Sequence, residues 1–446
     1  MRIGNQATML TLKLIVIGVL GLALWVPTSI VGMLVQERAG RRDEVVREVS
    51  ATWGQDQTIE GPVLSVPFNF WVEDGDGDRH RRTAWIHQLP DTLDIRGSLA
   101  PEVRYRSIYE VVLYQGELSL QGSFIAPDPA QWGVDAKDVL WDQAIITFGV
   151  SDPKGLRAVP RLVVGGEELE LEPGAGEGPF ASGLGAAIHL SKARDSTNEH
   201  PLVFSIDVRL AGSEGLSFLP MARETSVALE APWSDPSFQG AFLPLERTVG
   251  ENGFTASWKV LALHREVPQF WRSSDGPTSE YAGVLRCASF GVRLLFPVDA
   301  YQRTMRSVKY SVLFSLLTFL GFFAVEVGGR ASIHPVQYVV IGFALCLFYT
   351  LLLSLSELMN FNLAYLAASV VIVAMITAYV HGIVRRRVLT LLCAGVLAVV
   401  YGSLFVMLQL EELALLMGTA LLLLLCGVVM LLTRRLTWSR AEPGPE

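Results

Sequence analysis

The sequence predicts an α-helical polytopic membrane protein with six transmembrane helices and a large all-β, sandwich-like domain inserted between helices 1 and 2. Three observations predict this class. Only 18% of the 446 residues are charged and half are hydrophobic, whereas about a quarter of a soluble domain is charged. The apolar residues gather in six long runs of the roughly 17–25 residues needed to cross a bilayer core. Between the first and second runs lies a polar stretch, Gln36 to Arg306, patterned as strands.

The first run, Leu10–Val35, is broken only by Lys13. Its apolar core exceeds that of a secretory signal, and no small-x-small cleavage site ends it, so it reads as an uncleaved anchor. The other five are Val308–Val327, Val336–Ser356, Leu363–Val380, Val388–Leu408 and Leu413–Leu432. The expected organisation is therefore an anchor (1–35), a β-rich domain (36–306), a five-helix bundle (307–435) and a short tail (436–446).

Orientation follows from Lys and Arg in short loops. Arg2, Arg330, the triplet Arg385–Arg387, and Arg434, Arg435 and Arg440 fall on one side of a six-span chain. Glu357, Glu411 and Glu412 occupy the opposite short loops. Both termini are expected in the cytoplasm and residues 36–306 in the periplasm of a bacterial inner (plasma) membrane. The inserted domain holds 26 Lys and Arg against 38 Asp and Glu. Its acidity argues against nucleic acid or anionic headgroups as partners. Of four cysteines only Cys287 lies in this domain, so an ordinary hydrophobic core, and no internal disulfide, must hold it together.

Within the domain, "RYRSIYEVVLYQGELSLQGSF" alternates apolar and polar residues, with Gly116 and Gly122 expected at turns or bulges. "PLVFSIDVRL" and "ETSVALEA" alternate in the same way. Helical spacing is confined to "RRDEVVREVSATW", where Val45, Val46, Val49 and Trp53 share a face.

Chemical motifs fail on their details. Asp74, Asp76 and Asp78 alternate as in a calcium loop, but Arg79 stands where its turn glycine belongs and Trp85 where its bidentate Glu belongs. A hairpin tip is the better reading. Gly174, Gly176 and Gly178 precede Pro179, not a Lys-Ser/Thr pair, and read as a loop. No Gly-x-Ser-x-Gly elbow occurs, and His80, His87, His189, His200 and His264 read as surface or half-buried side chains. No catalytic residue, cofactor site or metal site is expected, and the chain is not expected to be an enzyme. Trp233, Phe238, Phe242, Phe254 and Trp258 lie within 26 residues. They make either a core plus hairpin or an exposed patch that receives a partner.

The longer landmarks resemble the CreD family of bacterial inner membrane proteins nearly end to end. They are "QERAGRRDEVVREV" leading to "GPVLSVP", then "LELEPGAGEGPF", "WSDPSFQGAFLP" and "GFTASW". Most specific is "PVDAYQRTMRSVKY", followed by a span ending in Glu326 and then "HPVQYVVIGFALCLFYTLLLSLSE". The resemblance implies an inner-membrane protein linked to nutrient or cell-wall stress, described through envelope integrity and without an established reaction. One departure stands out: the family commonly has histidine after the Ser-Glu pair, and here it is Leu358, so no Glu-His relay can work there.

Glu357 lies some twenty residues beyond the start of its span, about 30 Å at 1.5 Å per residue, which places it at the outer interface. Glu326 falls at the inner end of the preceding span, near His334. Transporters keep ionisable groups or broken helices inside their spans, and these interiors offer only Ser, Thr, Cys and Tyr. The expectation is a structural polar clasp: Glu326 with His334 at one face, Lys309 with Glu357 at the other. The alternative is that all four reach headgroups. The expected role is non-enzymatic, in envelope integrity or the envelope-stress response, with the lipid bilayer and another envelope protein or cell-wall component as partners. The rival is a transporter or lipid-handling bundle.

Overall fold

A computed structural model describes residues 15–73, 75, 78–174, 178–180, 182–190, 201–275, 278–295, 300–329, 333–410 and 414–433. Asp74, Asp76, Gly176, His200, Lys13 and the loop charges Arg2, Arg330, Glu411, Glu412, Arg434, Arg435 and Arg440 lie outside the described residues, as does the tail. The chain divides into two compact units, Glu44–Pro297 and the remainder, Met1–Asp43 with Val298–Glu446.

The first of these units is built from strands. Its first half runs β1 (Gln57–Glu73), β2 (Arg79–Gln88), β3 (Thr92–Arg106), β4 (Tyr109–Phe124), β5 (Ala144–Val150), β6 (Arg161–Val164), β7 (Glu167–Leu169) and β8 (Glu172–Pro173). The second half runs β9 (Gly183–Ile188), β10 (Leu202–Ser213), β11 (Gly215–Phe218), β12 (Glu224–Ala231), β13 (Pro236–Gly240), β14 (Glu246–Gly250), β15 (Gly253–Leu261), β16 (Phe270–Arg272) and β17 (Phe290–Leu294).

Nine strands form one sheet in the order β13-β17-β11-β1-β5-β9-β8, with β2 pairing β1 and β16. The other eight run β14-β15-β12-β3-β4-β10-β6-β7. Period-2 alternation sends Leu93, Ile95 and Leu99 inward from β3, while Asp94 and Arg96 stay outside the core. Leu64, Ile86, Phe148 and Phe218 of the first sheet share one contiguous core with Ile95, Leu120, Ile206 and Trp258 of the second. Each such side chain contributes about 1.5–3 kcal/mol, and one core identifies one sandwich.

β1 and β2 pair antiparallel out to Glu73 and Arg79, and the hairpin-tip reading of Asp74 and Asp76 falls on residues outside the described ones. Gly116 and Gly122 are not turns. Both lie inside β4, and a Cβ at Gly122 would fall 2.7 Å from the Phe204 ring. Glycine there makes room for a core aromatic from the neighbouring strand.

In the other unit, α1 runs Ile15–Trp53, its residues from Glu44 onward belonging to the sheet unit. Within the sheet unit, α2 spans Thr278–Cys287. The helices after the insertion are α3 (Ala300–Lys309), α4 (Ser311–Gly329), α5 (Pro335–Ser356), α6 (Phe361–Val384), α7 (Arg387–Gln409) and α8 (Ala414–Thr433). Four described helices are long and apolar enough to cross a membrane: α1, α5, α6 and α7. The second apolar run lies almost wholly in α4, which joins the more polar α3 at a 52° bend, and the pair raises the number to five if it crosses once. Six straight spans are thus not what the described residues contain.

Candidate functional site

The helical unit joins its polar residues at helix ends. Glu357 closes α5 and is only 14% exposed; its Oε1 accepts from the Tyr301 hydroxyl at 3.2 Å and lies 3.9 Å from the Arg38 Nε. The Arg42 guanidinium stands 5.8 Å from the centre of the Tyr301 ring. Lys309 does not reach Glu357. It is exposed and lines a cleft with Gln36 and Trp25 of α1. Glu357 instead meets Tyr301, eight residues before Lys309 on α3, and Arg38 of α1.

At the other end, Glu326 is 5% exposed. Its Oε1 accepts from the Ile333 backbone N–H at 3.1 Å and its Oε2 from the Tyr338 hydroxyl at 3.0 Å. His334 is engaged elsewhere: as the N-cap of α5, its Nδ1 accepts from the Val336 N–H at 3.3 Å. α5 is therefore tied at both ends, by Tyr301 and Tyr338 instead of Lys309 and His334. Tyrosine was missed because a phenol gives no charge signal in a hydropathy profile, yet its hydroxyl needs a partner when buried.

The five aromatic residues of the sheet unit do not form an exposed patch. Phe254 and Trp258 are 3% and 2% exposed, and Trp233, Phe238 and Phe242 pack against the same core. Phe238 meets Phe254 and Trp258 edge-on, each with ring centres 5.8 Å apart. Alternation on β15 turns Phe254 and Trp258 inward, and the others follow.

His87 is fully buried, contrary to its reading as a surface or half-buried residue. Its Nδ1 lies 2.8 Å from the Ser65 Oγ, its ring 5.3 Å from Trp271, and burial pushes its pKa down to about 4. Arg265 is also buried: its Nη atoms donate to the Val267 and Ala222 carbonyls and to the Gln269 Oε1, and desolvation lowers its pKa to about 10. Both serve packing, for no cavity opens onto them among the described cavities.

One carboxylate does face a cavity. Across β1 and β5 the register shifts between Glu60 and Val63, a bulge at Gly61, whose φ is +102°. Bulges re-aim side chains, and here the Glu60 side chain, 7% exposed, lines a 360 Å³ hollow. Its Oε1 accepts from the Arg286 Nε at 3.2 Å. Gly149 opposite is required, since a Cβ there would fall 2.8 Å from the Cβ of Glu60. The Glu-Gly-Pro signal was visible in the sequence, but its partner Arg286 lies 226 residues away.

A chain that carries both membrane-length apolar helices and a large β-sheet unit is a membrane protein. A family model, inner membrane protein CreD, matches residues 9–439. Inner membrane protein CreD of Escherichia coli (strain K12) is 29% identical over 420 residues, covering 94% of this chain and 91% of that one. The chain belongs to the CreD family, and it is a multi-pass protein of the inner membrane.

Proposed function

We propose that the protein acts without catalysis in envelope integrity or stress response, with the sheet unit as its working part. In this reading the bent pair and α8 complete six crossings, the termini are cytoplasmic, and Glu44–Pro297 lies in the periplasm. The observation that carries it is the fate of the bundle's carboxylates. Glu326 and Glu357 sit at helix ends, tied to neighbouring helices and the turn between α4 and α5, not strung along the spans as a conducting path requires. The sheet unit instead supplies an acidic surface and the hollow at Glu60, features suited to meeting another envelope component.

A second reading has one observation in its favour. Between α6 and α7 runs a groove of 1040 Å³, lined mainly by apolar side chains with Tyr365, Thr377 and His381 among them. It suits a lipid-handling bundle.

Dye uptake in cells lacking the protein separates the two. Restoring the barrier with the sheet unit on its first helix supports the proposal. Restoration by the helices from α3 onward, without the sheet unit, contradicts it and favours the lipid-handling reading.

A further inference from the structure

We propose that the hollow at Glu60 binds a small zwitterion of amino-acid size, its ammonium on Glu60 and its carboxylate on Arg286. Glu60 and Arg286 form an ion pair left half made. Arg286, in the last turn of α2, gives Glu60 a single Nε contact at 3.2 Å. Arginine pairs most strongly with a carboxylate through two parallel N–H bonds. Here, among the described residues, both Nη groups of Arg286 and the Oε2 of Glu60 have no partner. Both side chains line the hollow.

A nine-tenths buried carboxylate with an unmade bond costs stability unless something completes it. The fold has invested in this arrangement: the Gly61 bulge aims Glu60, and Gly149 clears the space its side chain takes. Thr58, Ser151, Ser182 and Ser289 also line it, the Ser151 and Ser182 hydroxyls donating to the Asp56 and Val150 carbonyls.

Each simpler ligand leaves one charge unanswered. A metal cation would meet a single carboxylate with a guanidinium beside it. A phosphate would meet Glu60 as well as Arg286. A sugar carries no charge to answer either of them. An α-amino acid carries an ammonium and a carboxylate on one carbon, and so presents opposite charges to neighbouring opposite charges. The 360 Å³ volume sits near the lower end of the roughly 300–1,000 Å³ range of small-molecule sites, as a ligand of that size requires.

Calorimetry on the full-length protein in lipid nanodiscs tests the inference, with alanine of both hands, acetate and methylamine as probes. The expected result is saturable binding of at least one alanine enantiomer, with acetate and methylamine each at least about tenfold weaker. Arg286→Gln should abolish alanine binding at some cost in melting temperature, since it removes the partner of a buried carboxylate, and Ser289→Leu, at a half-buried position lining the hollow, should abolish it by filling the space. Glu60→Gln should abolish it too, although its burial makes folding the first thing to check. Methylamine binding as tightly as alanine would make this a cation site and overturn the proposal. So would acetate binding as tightly, no alanine binding at millimolar concentration, or undiminished binding in Arg286→Gln. The measurement uses purified protein, so it is independent of span number and of the envelope reading.

Discussion

Glu326 in the helical unit and Glu60 in the sheet unit are each 5% exposed, and they are built to different ends. Glu326 offers one oxygen to a backbone N–H and the other to a tyrosine hydroxyl, and no cavity opens onto it among the described cavities. Glu60 spends one oxygen on Arg286 and leaves the other facing a hollow. Burial alone does not separate a structural carboxylate from a binding one. The satisfaction of its oxygens does, together with whether a ligand can reach the one left over.

The largest expected effect lies at Glu326. Replacing it by alanine strands two buried donors, at about 1–3 kcal/mol each, so the helical unit of Glu326→Ala should lose about 4 kcal/mol in detergent unfolding. A loss below about 1 kcal/mol would break the comparison, because Glu326 would then not be holding α4 to α5.

His87 sharpens it from the other side. Its Nε2 has no partner but is sealed from solvent, so it should affect stability and bind nothing. In the unfolded chain the ring protonates near its ordinary 6.5, in the fold only near 4. The unfolded state takes the proton first, so stability is full above about pH 6.5 and falls as pH drops towards 4. The loss reaches up to about 3 kcal/mol at 1.36 kcal/mol per pH unit. Sheet-unit melting followed across that window should flatten in His87→Asn.

Glu357 is intermediate, since it is partly exposed and its partners include one neutral hydroxyl. Glu357→Leu should cost about 1 kcal/mol, read as a modest drop in the melting temperature of the helical unit. Smallest of all is Lys309→Glu, at an exposed position without an ion-pair partner among the described residues. It should stay within about 0.5 kcal/mol of the parent. The double change Lys309→Glu with Glu357→Lys should be no more stable than Glu357→Lys alone. Rescue by the double change would restore the lysine pairing in place of the Tyr301 and Arg38 contacts.

Much of the fold was legible because hydropathy and alternation are local signals. The run Val336–Ser356 became α5 at Pro335–Ser356, Val388–Leu408 became α7 at Arg387–Gln409, and "ETSVALEA" is β12 residue for residue. The bend between α3 and α4 was not legible, since Tyr310 marks it and neither proline nor glycine does. Side-chain pairing was least legible. Glu357 meets Tyr301 and not Lys309, and a choice between two positions on the same short helix is one that charge patterning does not register. The hollow at Glu60 joins residues 226 positions apart, a distance at which one sequence carries no pairing signal.

The most direct test is the melting temperature of full-length protein with and without saturating alanine, for the parent, Glu326→Gln and Arg286→Gln. The account predicts that alanine raises melting in the parent and in Glu326→Gln, which itself starts lower. Arg286→Gln should start at or below the parent, because buried Glu60 loses its partner, and should not respond. An Arg286→Gln protein that still responds to alanine, or a Glu326→Gln protein that starts level with the parent, would contradict it.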